Sequence, residues 1–353
     1  GASFMFLAWN EIKRNKIKFS LVIGILVLIS YLLFLLSGLA NGLIKMNTEG
    51  IEKWNADAII LKKEANQTVE QSLFNISKVQ NTYEKSTTLK QQGVIISNHH
   101  REENALLFGV THKSFLIPPI IKGHQVESSN EIVIDQTLAD KGFKIGDILS
   151  LSQSDEKLKV VGIVESAKYN ASPVLFSNNQ TIEKLNPKLS KDKTNAIVIK
   201  DSNWKNHKLN KDLESISISQ FIKNLPGYKA QNLTLNFMIV FLFIISATVI
   251  GVFLYVITLQ KTHLFGVLKA QGFTNCYLAK MVFAQTFILS LIGTIIGFLL
   301  TLLTGTFLPP VVPIHFNLLT MLIYGIVLII ISLLGSLFSV LSIIKINPLK
   351  AIG

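Results

Sequence analysis

Residues 19–41 read FSLVIGILVLISYLLFLLSGLAN, a run of more than 20 positions without a Lys, Arg, Asp or Glu. About 20 predominantly apolar residues in a helix cross the hydrocarbon core of a bilayer, so this run reads as a membrane span. A second uncharged stretch covers 230–260, and its apolar part, LNFMIVFLFIISATVIGVFLYVITL, places a second span over 235–259. No charged residue occurs between Lys280 and Lys345, which leaves room for two more spans, 281–307 and 317–344. They are joined by a short loop, 308–316, because Leu308-Pro309-Pro310-Val311-Val312-Pro313 cannot continue a helix. Four spans put both termini on one side. The first span is too long for the apolar region of a signal peptide and no small-residue cleavage site follows it, so it is expected to stay in the protein. Gly1-Ala2-Ser3-Phe4 ahead of Met5 reads as an appended remnant.

Charge placement orients the spans. The chain carries a formal net charge of +12. The segments before span 1, between spans 2 and 3 and after span 4 hold nine basic residues against one acid, Glu11. The long segment 42–234 holds 25 basic and 21 acidic residues and is nearly balanced. By the positive-inside rule the termini, the loop 260–280 and the tail 345–353 face the cytoplasm, and 42–234 lies outside. The basic excess is therefore a topology signal, and nucleic acid is not an expected partner. Residues 5–18 form an amphipathic segment with Trp9 suited to the headgroup level, which reads as a lipid anchor or as a contact with a partner subunit. A lone cysteine, Cys276, excludes any intrachain disulfide.

Segment 42–234 is long enough for a domain with its own core. Short β-type runs occur at Ala58–Leu61, Gly93–Ile96, Ala105–Phe108, Glu131–Ile134, Leu158–Val164 and Ala196–Ile199, and helical patterns at Gln136–Lys141, Thr181–Leu185 and Lys205–Lys223. Lys45–Trp54 continues span 1 as a helical stalk. The pattern predicts an α+β domain inserted between spans 1 and 2. Within it, EIVIDQTLADKGFKIGDILSLSQSDEKLKVVGIVESAKYNASPVLFSN (131–178) resembles the core of the extracytoplasmic domain of MacB/FtsX-type permeases, the type VII ABC architecture. Gly146-Asp147 reads as a tight turn and Gly162 as a bulge or close backbone approach.

The loop after span 2 carries HLFGVLKAQG, a short helix that Gly272 would end in a left-handed cap. Apolar Phe265, Val267 and Leu268 in an aqueous-side segment read as exposed knobs, either of a docking surface or of an interfacial helix lying on lipid headgroups. The segment resembles the coupling element of FtsX-like permeases, and Asn347–Ile352 resembles that family's closing motif. The resemblance implies that Phe265, Gly266, Val267, Leu268, Lys269, Gly272 and Phe273 seat on a separate ABC ATPase subunit. No GxxxxGK[ST] phosphate loop occurs in the 353 residues, so ATP would act only through that partner. No nucleophile–base pair stands out, and no catalytic or resident metal site is expected.

FLLSGLANGL (34–43) and YVITLQKTHLFGVLKAQG (255–272) are further similar to haem-efflux permeases of the HrtB and DevC types. That resemblance implies a homodimer with two ATPase subunits (HrtA-like), haem as substrate and no permanently bound cofactor. Haem would enter between spans 1 and 2, where iron takes a Tyr, His, Met or carboxylate ligand in an apolar pocket. The candidates are Tyr228, Tyr169, Met46, Met238 and Gln231. At the last position the haem-efflux pattern carries an acid, and an amide is the poorer iron ligand. Two alternatives share the architecture: relaying ATPase strokes to an extracellular protein, and exporting peptide antibiotics or lipoproteins. Gly293, Gly297 and Thr301 on span 3, and Ser332, Gly335, Ser336 and Ser339 on span 4, form small-residue faces read as packing among spans 2 to 4.

Overall fold

The computed structural model describes residues 2–309 and 311–352, so Gly1, Pro310 of the expected turn and Gly353 of the expected tail lie outside the described residues. The chain divides into two compact units, residues 1–42 with 233–353, and residues 43–232. The first elements are α1 (Ala2–Arg14) and α2 (Lys16–Glu52). They break at Asn15, whose Nδ2 bonds back to the Glu11 carbonyl at 3.2 Å. Helix α2 runs without interruption through the first span and the stalk.

The inserted unit comprises β1 (Ala58–Lys62), β2 (Phe74–Asn75), β3 (Ser86–Ser97), β4 (Glu102–Val110), β5 (Ile120–Gly123), β6 (Glu131–Asp135), α3 (Gln136–Asp140), β7 (Ile148–Leu151), β8 (Ser154–Val164), β9 (Val174–Asn178), α4 (Asn179–Leu185), β10 (Lys193–Thr194), β11 (Ala196–Ile199), β12 (Leu213–Ser217) and α5 (Ile218–Lys223). Its main sheet runs β12-β1-β11-β3-β4-β9-β6-β8-β5, with β7 bridging β3 and β8. Both faces are buried. Val133, Val161 and Phe176 point into one apolar cluster, while their neighbours Ile132, Ile134, Val160 and Leu175 point into the other. This period-two division gives one sheet two cores.

Two sequence readings hold here and one fails. Gly146 has φ +94° and the Asp147 amide donates to the Lys144 carbonyl at 3.1 Å, as a tight turn requires. Opposite β6 the ladder skips from Val160 to Gly162, a bulge where a Cβ on Gly162 would lie 2.5 Å from the His124 carbonyl. Lys205–Lys223 is not one helix: Leu213–Ser217 is an edge strand paired antiparallel with β1, and only Ile218–Lys223 is α-helical. Leu213 and Ile216 are the buried positions of that strand, and pairing distant in sequence overrides the local helical pattern.

The remaining elements are α6 (Tyr228–Gln260), α7 (Thr262–Ala270), α8 (Asn275–Phe307), α9 (Leu318–Gly335), α10 (Leu337–Ile344) and α11 (Pro348–Ile352). Among the described residues, four helices are long and apolar enough to cross a membrane: Lys16–Glu52, Tyr228–Gln260, Asn275–Phe307 and Leu318–Ile344. Their contacts correct the expected pairing of the small residues. Gly293 and Gly297 face span 1, where a Cβ on Gly293 would sit 2.6 Å from Leu26 Cβ and the Ser30 hydroxyl donates to the Gly293 carbonyl at 3.1 Å. Span 4 packs on span 2, as expected: a Cβ on Gly335 would sit 2.5 Å from the Ala247 carbonyl, and one on Gly251 2.8 Å from the Gly335 carbonyl. Backbone meets backbone at these crossings, which is how apolar helices gain contact without a hydrophobic driving force.

Candidate functional site

Two features of the membrane unit bear on function, and the first is an apolar cleft of about 630 Å³. Leu32, Leu35 and Leu39 of α2, Met238, Phe241 and Ile245 of α6, and Val312 and Ile314 of the loop between spans 3 and 4 line it. The i, i+3/i+4 spacing on both helices sets these side chains on facing stripes. Among the described lining residues Thr304 alone is polar, and its hydroxyl is engaged by Tyr31 Oη at 2.6 Å. The loop wall is held by Phe316, whose ring fills the notches left by Gly38 and Gly305, and by the His315 amide donating to the Gly38 carbonyl at 3.0 Å.

Of the five ligand candidates, the structure brings only Met238 to this cleft, a residue that is 49% exposed. Tyr169 lies away from it. It is 1% exposed in the core of the inserted unit, edge-on to Phe108 at 5.7 Å, and burial holds its phenol well above the ordinary range. Tyr228 packs half-buried against the same core. Gln231 accepts a hydrogen bond from Asn47 Nδ2 at 2.8 Å, which ties the first turn of α6 to the upper part of α2. Met46 and Asn47 give their carbonyls to the amides of Ala171 and Asn170, each at 2.9 Å. These residues thus serve the inserted unit's own architecture. The cleft's leucines and Phe241 escaped selection because a run of Leu, Ile and Phe marks no position as special. The facing stripes are a signal that a helical projection of both spans could have shown.

The second feature is α7. Its end follows the expected design: Gly272 has φ +99°, the Phe273 amide donates to the Leu268 carbonyl at 3.1 Å, and the Gly272 amide to that of Lys269 at 3.1 Å. The expected exposed knobs are a correction. Phe265 is 3% exposed, in a cluster with Ala8 of α1, Leu278, Met281 and Val282 of α8, and Val340 and Ile343 of α10. Gly266 is buried too, Val267, Leu268 and Phe273 are half-buried, and the exposed rim consists of His263, Ala270, Gln271 and Gly272. Whether a knob is covered depends on α1, which is distant in sequence. At the start of α7 the Lys261 ammonium meets the Glu11 carboxylate, and burial lowers the Lys261 pKa to about 8. At its end Lys269 reaches the end of α10, donating to the carbonyls of Ile343 at 2.5 Å and Ile346 at 2.9 Å, with burial lowering its pKa.

Residues 19–203 match the family described as MacB-like periplasmic core domain, and 236–348 that described as FtsX-like permease C-terminal. Proteins that carry the name hemin transport system permease protein HrtB are similar along the whole chain. Those of two Staphylococcus epidermidis strains are 30% identical over 351 residues, and that of Staphylococcus haemolyticus 29%, covering 99% of both chains in each case. The periplasmic region of MacB from Actinobacillus actinomycetemcomitans is similar with a TM-score of 0.39 at 14% identity, over 52% of this chain and 97% of that one. The extracellular domain of YknZ from Gram-positive bacteria gives 0.34 at 9%, over 46% and 98%. The chain belongs to the MacB/FtsX-like family of ABC transporter permeases, multi-pass membrane proteins with four spans and a large extracellular α+β domain inserted after the first, and such a permease implies an ATPase partner.

Proposed function

We propose that this permease extrudes haem, or another flat apolar molecule, from the membrane, driven by a separate HrtA-like ATPase that docks at α7. The termini and α7 face the cytoplasm, and two copies work with two ATPase subunits. The cleft between α2 and α6 carries the reading. Its 630 Å³ falls within the range of about 300–1,000 Å³ usual for small-molecule sites, and its walls offer almost nothing but hydrocarbon and the Met238 thioether. A soft sulfur beside an apolar slot suits a metalloporphyrin better than a peptide with many polar groups. The relatives named as hemin transport permeases support the substrate class, and the nine basic residues of the short segments support the orientation. Exposed Met5, Phe6 and Trp9 beside Lys13 and Arg14 suit α1 to lipid headgroups.

Titrating haem into the purified chain in detergent tests this. A saturable Soret shift is expected, weakened about tenfold by Ile245→Trp, which fills the slot, and altered in position by Met238→Ala, which removes the sulfur. A wild-type protein that leaves the Soret band unmoved would sink the haem reading.

A groove of about 410 Å³ in the inserted domain favours a second reading, relay of motion to an extracellular protein. Strand β3 pairs on one side with β11 at Ser86–Leu89 and with β7 at Ile96–Ser97. Between them, at exposed Gly93, no strand of the described residues completes the ladder. An open rung is a place where an extended chain can add. Co-purification of a protein that is lost on Gly93→Pro would support this reading over export.

A further inference from the structure

The end of α7 makes a contact that docking on an ATPase does not require. Helix α10 finishes at Ile344, where the Lys345 amide donates to the Leu341 carbonyl at 3.3 Å and the Ile346 amide to the Ile343 carbonyl at 3.1 Å. A helix end of this kind is commonly closed by its own glycine or by water. Here the ammonium of Lys269 adds a cap from another element, donating to the carbonyls of Ile343 at 2.5 Å, Ile346 at 2.9 Å and Ile344 at 3.4 Å. A cation at a helix C-terminus also gains from the aligned peptide dipoles. Phe265 plugs the same place from the apolar side, packing with Val340 and Ile343.

The other end of α7 is tied as well. Lys261 meets Glu11 of α1, and the preceding Gln260 accepts from Lys18 of α2 at 2.6 Å. Spans 2 and 3 are joined to α7 through the chain itself, by Lys261 and by residues 271–274. Spans 1 and 4 have no such covalent route. The Glu11–Lys261 and Gln260–Lys18 contacts make a noncovalent link to span 1, and Lys269 makes the polar link to span 4 beside the packing of Phe265.

We infer that Lys269 is a positioning residue that makes α7 and the end of span 4 move as one body, so that a push on α7 reaches all four spans together. This rests on the ATP-driven export reading above. An ammonium suits the task because its three donors can hold several carbonyls at once, whereas a methionine of similar length would keep the packing and lose the clamp.

The experiment uses the complete permease–ATPase complex in proteoliposomes, with haem as the transported probe. Spin labels at Gln271→Cys and Lys345→Cys, in a Cys276→Ser background, report the distance between α7 and the end of span 4 with and without vanadate-trapped nucleotide. In wild type and Lys269→Arg the distance should be the same in both states. In Lys269→Met it should shift or broaden between the states, with haem exported per ATP hydrolysed falling about tenfold, within the usual span of coupling energies. Unchanged distances in Lys269→Met would overturn the inference. So would lost hydrolysis with the distance preserved, because that would make Lys269 part of the ATPase dock. If wild type moves no haem while the distances behave as expected, the substrate reading falls and the clamp stands.

Discussion

Tyr169 lies edge-on to Phe108 and 6.4 Å from Phe221, in a loop whose next two residues, Asn170 and Ala171, take positive φ to reach the carbonyls of α2. Its ring therefore braces a strained segment from inside. Tyr169→Ala should lower the unfolding free energy of the inserted domain by about 3–5 kcal/mol, the usual cost of deleting a buried aromatic side chain. Chemical denaturation followed by tryptophan fluorescence would measure it, since Trp54 lies in the same core. Haem affinity of the folded fraction should be unchanged; a lost Soret shift with normal stability would return Tyr169 to the ligand list. Residue chemistry could nominate tyrosines and methionines as iron ligands, but not which of them a core would claim. Met238 reached the cleft because span 2 presents that face, and Gln231 became a strut because Asn47 stands opposite.

At the scale of elements, the crossing of spans 2 and 4 sets two effects against each other. Gly335→Ala gains at most about 1 kcal/mol of helix propensity, since Gly335 is the last residue of α9. It also brings a methyl to 2.5 Å from the Ala247 carbonyl, a backbone atom that cannot swing aside, and overpacking of this kind costs about 1–3 kcal/mol. The loss should win, and thermal unfolding in detergent should show a lower midpoint; an unchanged or raised midpoint would mean the helices separate freely. The spans themselves were legible because length and the absence of charge are local properties, and α7 because Gly272 supplies its cap. Strand β12 was not, since LESIS acquires its partner about 150 residues earlier, in β1. Neither were the partners of Gly293 and Gly297, because a small-residue face states that something comes close without stating what.

For the whole molecule, membership of the ABC permease family implies an ATPase partner, and on the export reading proposed above this chain carries the motion that partner drives. How stiffly motion travels along it then matters as much as any site. Helix α2 is 37 residues long. At about 1.5 Å per residue it spans ~55 Å, well beyond the ~30 Å of a bilayer core. On the export reading proposed above, a rod of that length would act as a lever arm: a tilt of about 10° would carry its far end ~10 Å. Lys45 is an exposed position along this rod, so Lys45→Pro adds a joint without touching a core. ATP hydrolysis and folding of the inserted domain should survive, while haem export in proteoliposomes should fall. Export at the wild-type rate would show that the work is done below the joint, and that the long arm merely holds its load.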